Sequence, residues 1–523
     1  MKKTKKFLAL ILAVLMVMAT VPVAFAADAE EYPTIYVIGA HKNEIYNAKG
    51  ELIYPLDIDL GSILKEALMP CLEKLATGML TDDFSDYAEE FNSYMAPIYE
   101  ELILDKDGNV SNGSYTRFYT STENVQGKTE NYDVWDARFW YDWRESPMKT
   151  ANELKAHIDN VIAATGKSKV QLIGRCYGAN VIGAYLEKYK DHAKQYVSDI
   201  SYYSSSLLGI DFMSAIYSGE IFLDDKAITN FLDYYMENKK LIEDEDTAGL
   251  VSALAEILQQ VKVLGLTGDA LLKFVNMFKA DLLPLILRNS YGGWLSYWSM
   301  VTPELYEKAR DFIFNTDEIK KEYAGFIAKA DDFYYNVQVN AVDTMLELKE
   351  AGINFYIFAK YNFPEMPLYE GATVQGDSDT SVYRQSFGGT SADYNEVLSD
   401  EYLANVPAEK QKYISPDKKV DASTSLFPDT TWFIKDLHHD FFGPLQDMSV
   451  EIMRYDMTVE SEKYPQFLTT VGSKPDGADG LVPTEGVDED NDRPEDNIFA
   501  SLIRFLTSLI NVLVKLFKDG FKK

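Results

Sequence analysis

Lys169-Val170-Gln171-Leu172-Ile173-Gly174-Arg175-Cys176-Tyr177-Gly178-Ala179-Asn180-Val181-Ile182-Gly183-Ala184-Tyr185 is the stretch that decides how this chain folds. Lys169 to Ile173 is a short apolar run of strand type, and Ala179 to Tyr189 has helical spacing. Between them, Gly174-Arg175-Cys176-Tyr177-Gly178 has the Gly-x-nucleophile-x-Gly form of a nucleophile elbow. There the small residues let strand and helix approach around one strained, exposed side chain. The nucleophile is Cys176. At a helix N-terminus its sulfur meets amide dipoles that favour a thiolate, and the N–H of Tyr177 faces a developing oxyanion.

Outward from the elbow, Tyr32 to Ala40 reads as an early central strand, followed by the polar turn His41-Lys42-Asn43. The loop after such a strand donates the second oxyanion N–H in enzymes of this design, which makes Ala40 or His41 the candidate; an ordinary strand end fits the same residues. Val134 to Trp143 reads as a second strand. Ala151 to Ala164 is helical, with Leu154, Ile158, Val161 and Ile162 inward and Gly166 at its end. Strand, helix, strand, elbow, helix is the order of a parallel α/β sheet. Residues 58–104 are helical in pattern. In Asp105-Lys106-Asp107-Gly108-Asn109 the glycine is misplaced for a calcium loop, so no metal site is expected there.

The run from Tyr141-Asp142-Trp143-Arg144 through Leu172-Ile173-Gly174-Arg175-Cys176-Tyr177-Gly178 resembles the lecithin:cholesterol acyltransferase group of α/β-hydrolases, in which a YDWR strand lies about thirty residues before a G-H-S-x-G elbow. Tyr32–Ala40 and Trp294–Ala309 are also similar to that group. The resemblance is patchy over residues 30–440, and it departs at the elbow, where Arg175-Cys176 replaces His-Ser. It implies an α/β-hydrolase fold with a mostly parallel sheet and a helical cap insertion. Residues 208–345, rich in Leu, Phe and Tyr, are the expected cap over an apolar acyl pocket. Met277, Phe278, Leu283, Leu285 and Trp294 either line that pocket or belong to the core.

In this fold the chain order is nucleophile, acid, histidine. Asn354 to Ala359 reads as a strand, and the loop after it reaches Gly376-Asp377-Ser378-Asp379-Thr380-Ser381-Val382. Asp379 is the preferred acid, because Ser378-Asp379 with Val382 resembles the S-D-G-x-V form of the family motif; Asp377 is the alternative. A third carboxylate, Asp479 in Asp479-Gly480-Leu481-Val482-Pro483, resembles the acyltransferase D-G-x-V-P motif but lies after every histidine. There are five histidines: His41, His157, His192, His438 and His439. His157 and His192 read as surface or packing residues. His438 and His439 follow the strand-like Thr431 to Lys435, where the base belongs. The W-F-I-K-x-x-x-H spacing of the resemblance favours His439 over His438.

Composition frames these residues. With 46% hydrophobic and 13% aromatic residues, the chain has enough apolar side chains for a large core. A formal net charge of −32 argues against nucleic acid as a partner, since phosphate binding needs a basic face. Lys2, Lys3, Lys5 and Lys6, the apolar run Phe7–Thr20 and Ala24-Phe25-Ala26 form a secretory signal, with cleavage before Ala27. Cys71 and Cys176 are the only cysteines, which excludes a disulfide framework and leaves a single bridge as the other reading of Cys176. Near the C-terminus, an acidic Gly- and Pro-rich linker precedes Ile498–Phe521. Ser501, Arg504, Ser508, Asn511, Lys515 and Lys518 form a narrow polar stripe there, as in a helix lying in a membrane interface.

The sequence therefore divides into a signal peptide (1–26), a first core part with the elbow (27–207), a cap (208–345), a second core part with acid and base (346–469), a linker (470–496) and an amphipathic helix (497–523). It predicts a secreted acyl hydrolase or acyltransferase acting on lipid-like esters through Cys176, His439 and Asp379, with Tyr177 and Ala40 or His41 binding the oxyanion. No metal or organic cofactor is implied. The alternative is a secreted, non-catalytic protein of the same fold that binds an apolar ligand or a membrane.

Overall fold

The computed structural model describes residues 31–56, 71–116 except 72, 75, 76, 79, 80 and 82, 138–237 except 223, 280–471 except 281, and 480–486. Thr34–Val37 (β1), Val170–Arg175 (β2), Val197–Tyr203 (β3), Asn354–Tyr361 (β4), Thr431–Lys435 (β5), Phe467–Thr470 (β6) and Leu481–Pro483 (β7) form one sheet in that spatial order. The pairs from β1 to β6 are parallel, and β7 closes the edge antiparallel to β6. Strands covered on both faces need apolar side chains at nearly every position. β2 and β4 are covered in this way: every residue of β2 is buried, and so is all of β4 beyond Asn354, with Gln171, Arg175 and Lys360 as the charged or amide exceptions.

Helix α1 (Pro147–Thr165) starts and stops where its sequence signals lie. The Ser146 hydroxyl caps Met148 N–H, Pro147 takes the first position, and Gly166 ends the helix at φ 67°. Helix α2 (Tyr177–Lys188) leaves the elbow with ten of its twelve residues buried, and α3 (Gly443–Tyr455) follows the histidine segment after β5. The expected strand Val134–Trp143 is seen only in part. Among residues 138–143, Phe139 alone pairs, as a single parallel bridge to Val37. The chain then turns so that buried Arg144 grips Asp142 through Nε at 3.0 Å and Nη2 at 2.7 Å. That ion pair, with the Ser114 hydroxyl and the Leu102 carbonyl also accepting from Arg144, accounts for charged residues in an otherwise apolar run.

The second half of the expected cap is helical and joins the main core. Leu283, Trp294, Trp298 and Phe326 are buried in it, so the first two are packing residues. The Asn180 side-chain amide on α2 donates to the Ser299 carbonyl at 2.7 Å, tying this region to the elbow helix. Residues 238–279, with Met277 and Phe278, lie outside the described residues. So do the leader, Asp479, most of the linker and the C-terminal helix.

Close approach at the elbow falls on two glycines with different tolerance. A Cβ at Gly178 would sit 2.3 Å from the Val37 carbonyl oxygen, whereas one at Gly174 meets the end of the Ile182 side chain at 2.8 Å. A strand carbonyl cannot move aside as an isoleucine methyl can. Gly178→Ala is expected to destabilise the fold by about 3 kcal/mol, as overpacking does, and Gly174→Ala by less. Urea denaturation of the two variants measures the order.

Candidate active site

Cys176 stands between β2 and α2 at φ 49°, ψ −124°, a conformation that L residues rarely adopt. It is held there by its own N–H donating to the Tyr203 carbonyl (3.1 Å) and by its carbonyl accepting from Ala179 N–H (3.0 Å). The strain turns the side chain out of the sheet at the start of α2, where the first N–H groups have no intrahelical acceptor. Tyr177 N–H is the first of these. The loop after β1 closes the other side: a Cβ on Gly39 would lie 3.5 Å from the Cys176 Cβ, so Ala40 and His41 follow at the edge of the sulfur site. Cys176 and Cys71 are both free thiols, and burial pushes Cys71 up to about 11.

Two adjacent histidines leave β5 and separate. His438 Nε2 lies 2.7 Å from the Ser378 hydroxyl, with its ring against Phe363. His439 is tied twice to Asp377: its N–H donates to the Asp377 carbonyl (2.9 Å), and its Nδ1 lies 2.9 Å from Asp377 Oδ2. Asp377 is fully buried, and its other oxygen accepts from the N–H groups of Thr380 (2.9 Å) and Asp379 (3.2 Å). An ionised carboxylate cannot donate, so Nδ1 carries the proton and Nε2 is left for the sulfur.

Asp379, expected at the acid's position, is not the carboxylate at Nδ1. Its Oδ2 lies 3.8 Å from Nε2, on the other side of the ring, and its side chain is 41% exposed. The turn explains the exchange. Ser378, between the two aspartates, sits at φ 86° and sends them in different directions.

Electrostatics follow from this packing. Burial raises the Cys176 thiol, but the His439 charge and hydrogen bond, with help from Arg175, outweigh it and hold the thiol below its ordinary value. Burial likewise disfavours the imidazolium, yet Asp377, Asp379 and Cys176 together raise His439 well above the usual histidine range. Asp377 stays ionised: the nearby His439 and Lys360 charges overcome its burial. Together these shifts favour a thiolate–imidazolium pair.

The other histidines are engaged elsewhere. The His41 ring bridges the hydroxyls of Tyr54 and Tyr297, each at 2.7 Å, and lies against Trp143. Burial, with Lys42, lowers it to about 4, so it stays neutral. His192 is held by Asp159 and the Tyr185 hydroxyl, and His157 packs on Phe139. Among the described residues no group of three or more His, Cys, Asp or Glu is placed to hold a metal ion.

The sequence by itself gives neither Arg175 nor Lys360 a place in the site. Arg175 is buried and donates through Nη2 to the carbonyls of His439 (3.2 Å) and Asp440 (2.9 Å) while lying over the Phe442 ring. Lys360, on β4, is fully buried. Its signal was a lysine directly following the apolar run Phe355–Ala359 of a central strand, where a charge needs a partner.

A parallel sheet carrying a strained cysteine between strand and helix, with an aspartate and a histidine on later loops, has the layout of the α/β-hydrolase fold. Residues 104–239 match the family model "Lecithin:cholesterol acyltransferase", which is consistent with an α/β-hydrolase fold. The match supports acyltransferase or acyl-hydrolase chemistry on lipid-like substrates. No curated protein sequence matches the chain.

Proposed function

We propose that this protein is a secreted thiol acyl hydrolase or acyltransferase for lipid-like esters, with Cys176 as nucleophile, His439 as base and acid, and Asp377 as the carboxylate that orients it. The observation that carries this reading is the continuous line from buried Asp377 through Nδ1 and the ring of His439 to the sulfur of a strained elbow. The leader at residues 1–26 supports secretion.

In the first half-reaction the Cys176 thiolate attacks the ester carbonyl, and a C–S bond forms as the carbonyl π pair moves onto oxygen. The N–H of Tyr177 and one from the Ala40-His41 turn receive the oxyanion. As the tetrahedral centre collapses, the C–O bond to the leaving alcohol breaks, and His439 Nε2 supplies its proton. The acyl group now rests on sulfur as a thioester. Neutral His439 then takes a proton from water or an acceptor alcohol, whose oxygen attacks the thioester. Collapse releases the acid or new ester and restores the thiolate and imidazolium. A thioester is open to alcohols as well as water, so transfer and hydrolysis share one intermediate.

Incubating the mature protein with short and long p-nitrophenyl esters and weighing it intact tests this. A mass increase of one acyl group, located on Cys176 and lost on turnover, is expected. An unlabelled Cys176 would overturn the enzyme reading and favour a binding protein of the same fold.

A further inference from the structure

His439 sits in a segment without helix or strand: between the end of β5 at Lys435 and the start of α3 at Gly443 the backbone makes only turns. By itself such a segment positions a side chain less precisely than a helix or strand does. Four of its carbonyls are nevertheless held by side chains from neighbouring strands. Lys360 Nζ donates to the carbonyls of His438 (3.1 Å), His439 (3.1 Å) and Phe441 (2.6 Å). Arg175 Nη2 donates to those of His439 (3.2 Å) and Asp440 (2.9 Å). Four consecutive carbonyls are thus covered by two cations, one from the strand that ends in the nucleophile and one from the strand that leads to the acid.

We propose that Arg175 and Lys360 are positioning residues for the base, which clamp the His438–Phe441 backbone and so hold the His439 ring between Asp377 and the Cys176 sulfur. The proposal rests on the thiolate–imidazolium reading above. Burial, with the Arg175 charge, lowers Lys360 to about 7; in its charged form its three ammonium protons meet three carbonyl acceptors, a complete match. Arg175 immediately precedes Cys176, so the residue that grips the base segment is covalently fixed to the nucleophile. A shift of the segment would move His439 relative to sulfur and acid together. The clamp also has a competitor to resist. Asp379 Oδ2, 3.8 Å from Nε2, attracts the imidazolium on the side where the sulfur must bind it. Arg175 and Lys360 act on backbone carbonyls, whose positions do not depend on how the ring rotates.

The test is the pH dependence of Cys176 alkylation by iodoacetamide, followed by peptide mass spectrometry, beside kcat and KM on a p-nitrophenyl ester. Buried Cys71 serves as the slow internal reference. The variants are Arg175→Met, Arg175→Lys, Lys360→Met and His439→Ala, with folding checked by near-UV circular dichroism. Wild type is expected to alkylate with a midpoint below that of an ordinary thiol. Arg175→Met and Lys360→Met are each expected to raise that midpoint by about 1 pH unit, as losing a nearby opposite charge does. They are also expected to lower kcat about 100-fold, as misplacement does, with little change in KM. Arg175→Lys keeps the charge but not the two-carbonyl reach. It should retain the low midpoint and still lose about tenfold in kcat, which an effect of charge alone would not produce.

If Arg175→Met or Lys360→Met fails to fold, Arg175→Lys decides by that split. Wild-type kcat and midpoint in the folded clamp variants, with the low midpoint lost in His439→Ala, would overturn the clamp alone. An ordinary midpoint in wild type, unmoved by His439→Ala, would overturn the thiolate–imidazolium reading itself.

Discussion

Cys176→Ala and His439→Ala are each expected to lower kcat by a factor of about 10⁴ to 10⁶, and the double variant by no more than the worse single one. On the proposed mechanism the two groups act as one unit: the imidazolium favours the thiolate beside it, so removing either ends the same pathway. The rate profile carries the same signature in wild type. On the proposed mechanism activity requires ionised Cys176 and protonated His439. With the thiol held down and the imidazole held up, the acid limb should lie below the ordinary thiol range, and the alkaline limb should follow loss of the His439 proton. In His439→Ala the remaining acyl-enzyme formation should require alkaline pH, as for an unassisted thiol. Single-turnover measurements with an activated ester distinguish these cases. Wild-type rates in either single variant would remove Cys176 or His439 from the reaction.

The second large effect separates two aspartates only two residues apart. Asp377→Ala is expected to cost about 10³ to 10⁴ in kcat, in line with loss of an orienting carboxylate. Asp379→Ala should cost less than about tenfold. Asp377 is buried, fixes the Nδ1 proton and accepts the backbone N–H of His439 through its own carbonyl, whereas Asp379 is partly exposed and lies 3.8 Å from Nε2. Removing Asp379 takes away a negative charge that raises the Cys176 thiol, so the acid limb of that variant should move to lower pH. Steady-state kinetics on both variants from acid to alkaline pH test the assignment. A reversed order of effects would restore Asp379 to the acid's role.

Much of the fold is legible in the sequence because its signals are local. Glycine spacing around Cys176 specifies the strand-to-helix turn, since only residues without a Cβ allow α2 to pass the Val37 carbonyl. Strand-type runs mark β2, β4 and β5, and Ser146, Pro147 and Gly166 bound α1. The strand near Phe139 was overread for a related reason. Tyr141 and Trp143 are buried in the core, and Asp142 and Arg144 in an ion pair, and buried turns and strands look alike in composition.

The sequence by itself determined the elbow and its cysteine, the strand that precedes each catalytic loop, and the place of a histidine at the end of β5. Each of these depends on a few neighbouring residues and their backbone preferences. The tertiary structure alone decided which aspartate meets His439, where the His438 ring turns instead, and where the side chains of Arg175 and Lys360 end. Those choices depend on partners 60 to more than 260 residues away in the chain. The physical reason is reach: a loop residue or a long cationic side chain has several local conformations of similar energy, and only a distant acceptor makes one of them the lowest.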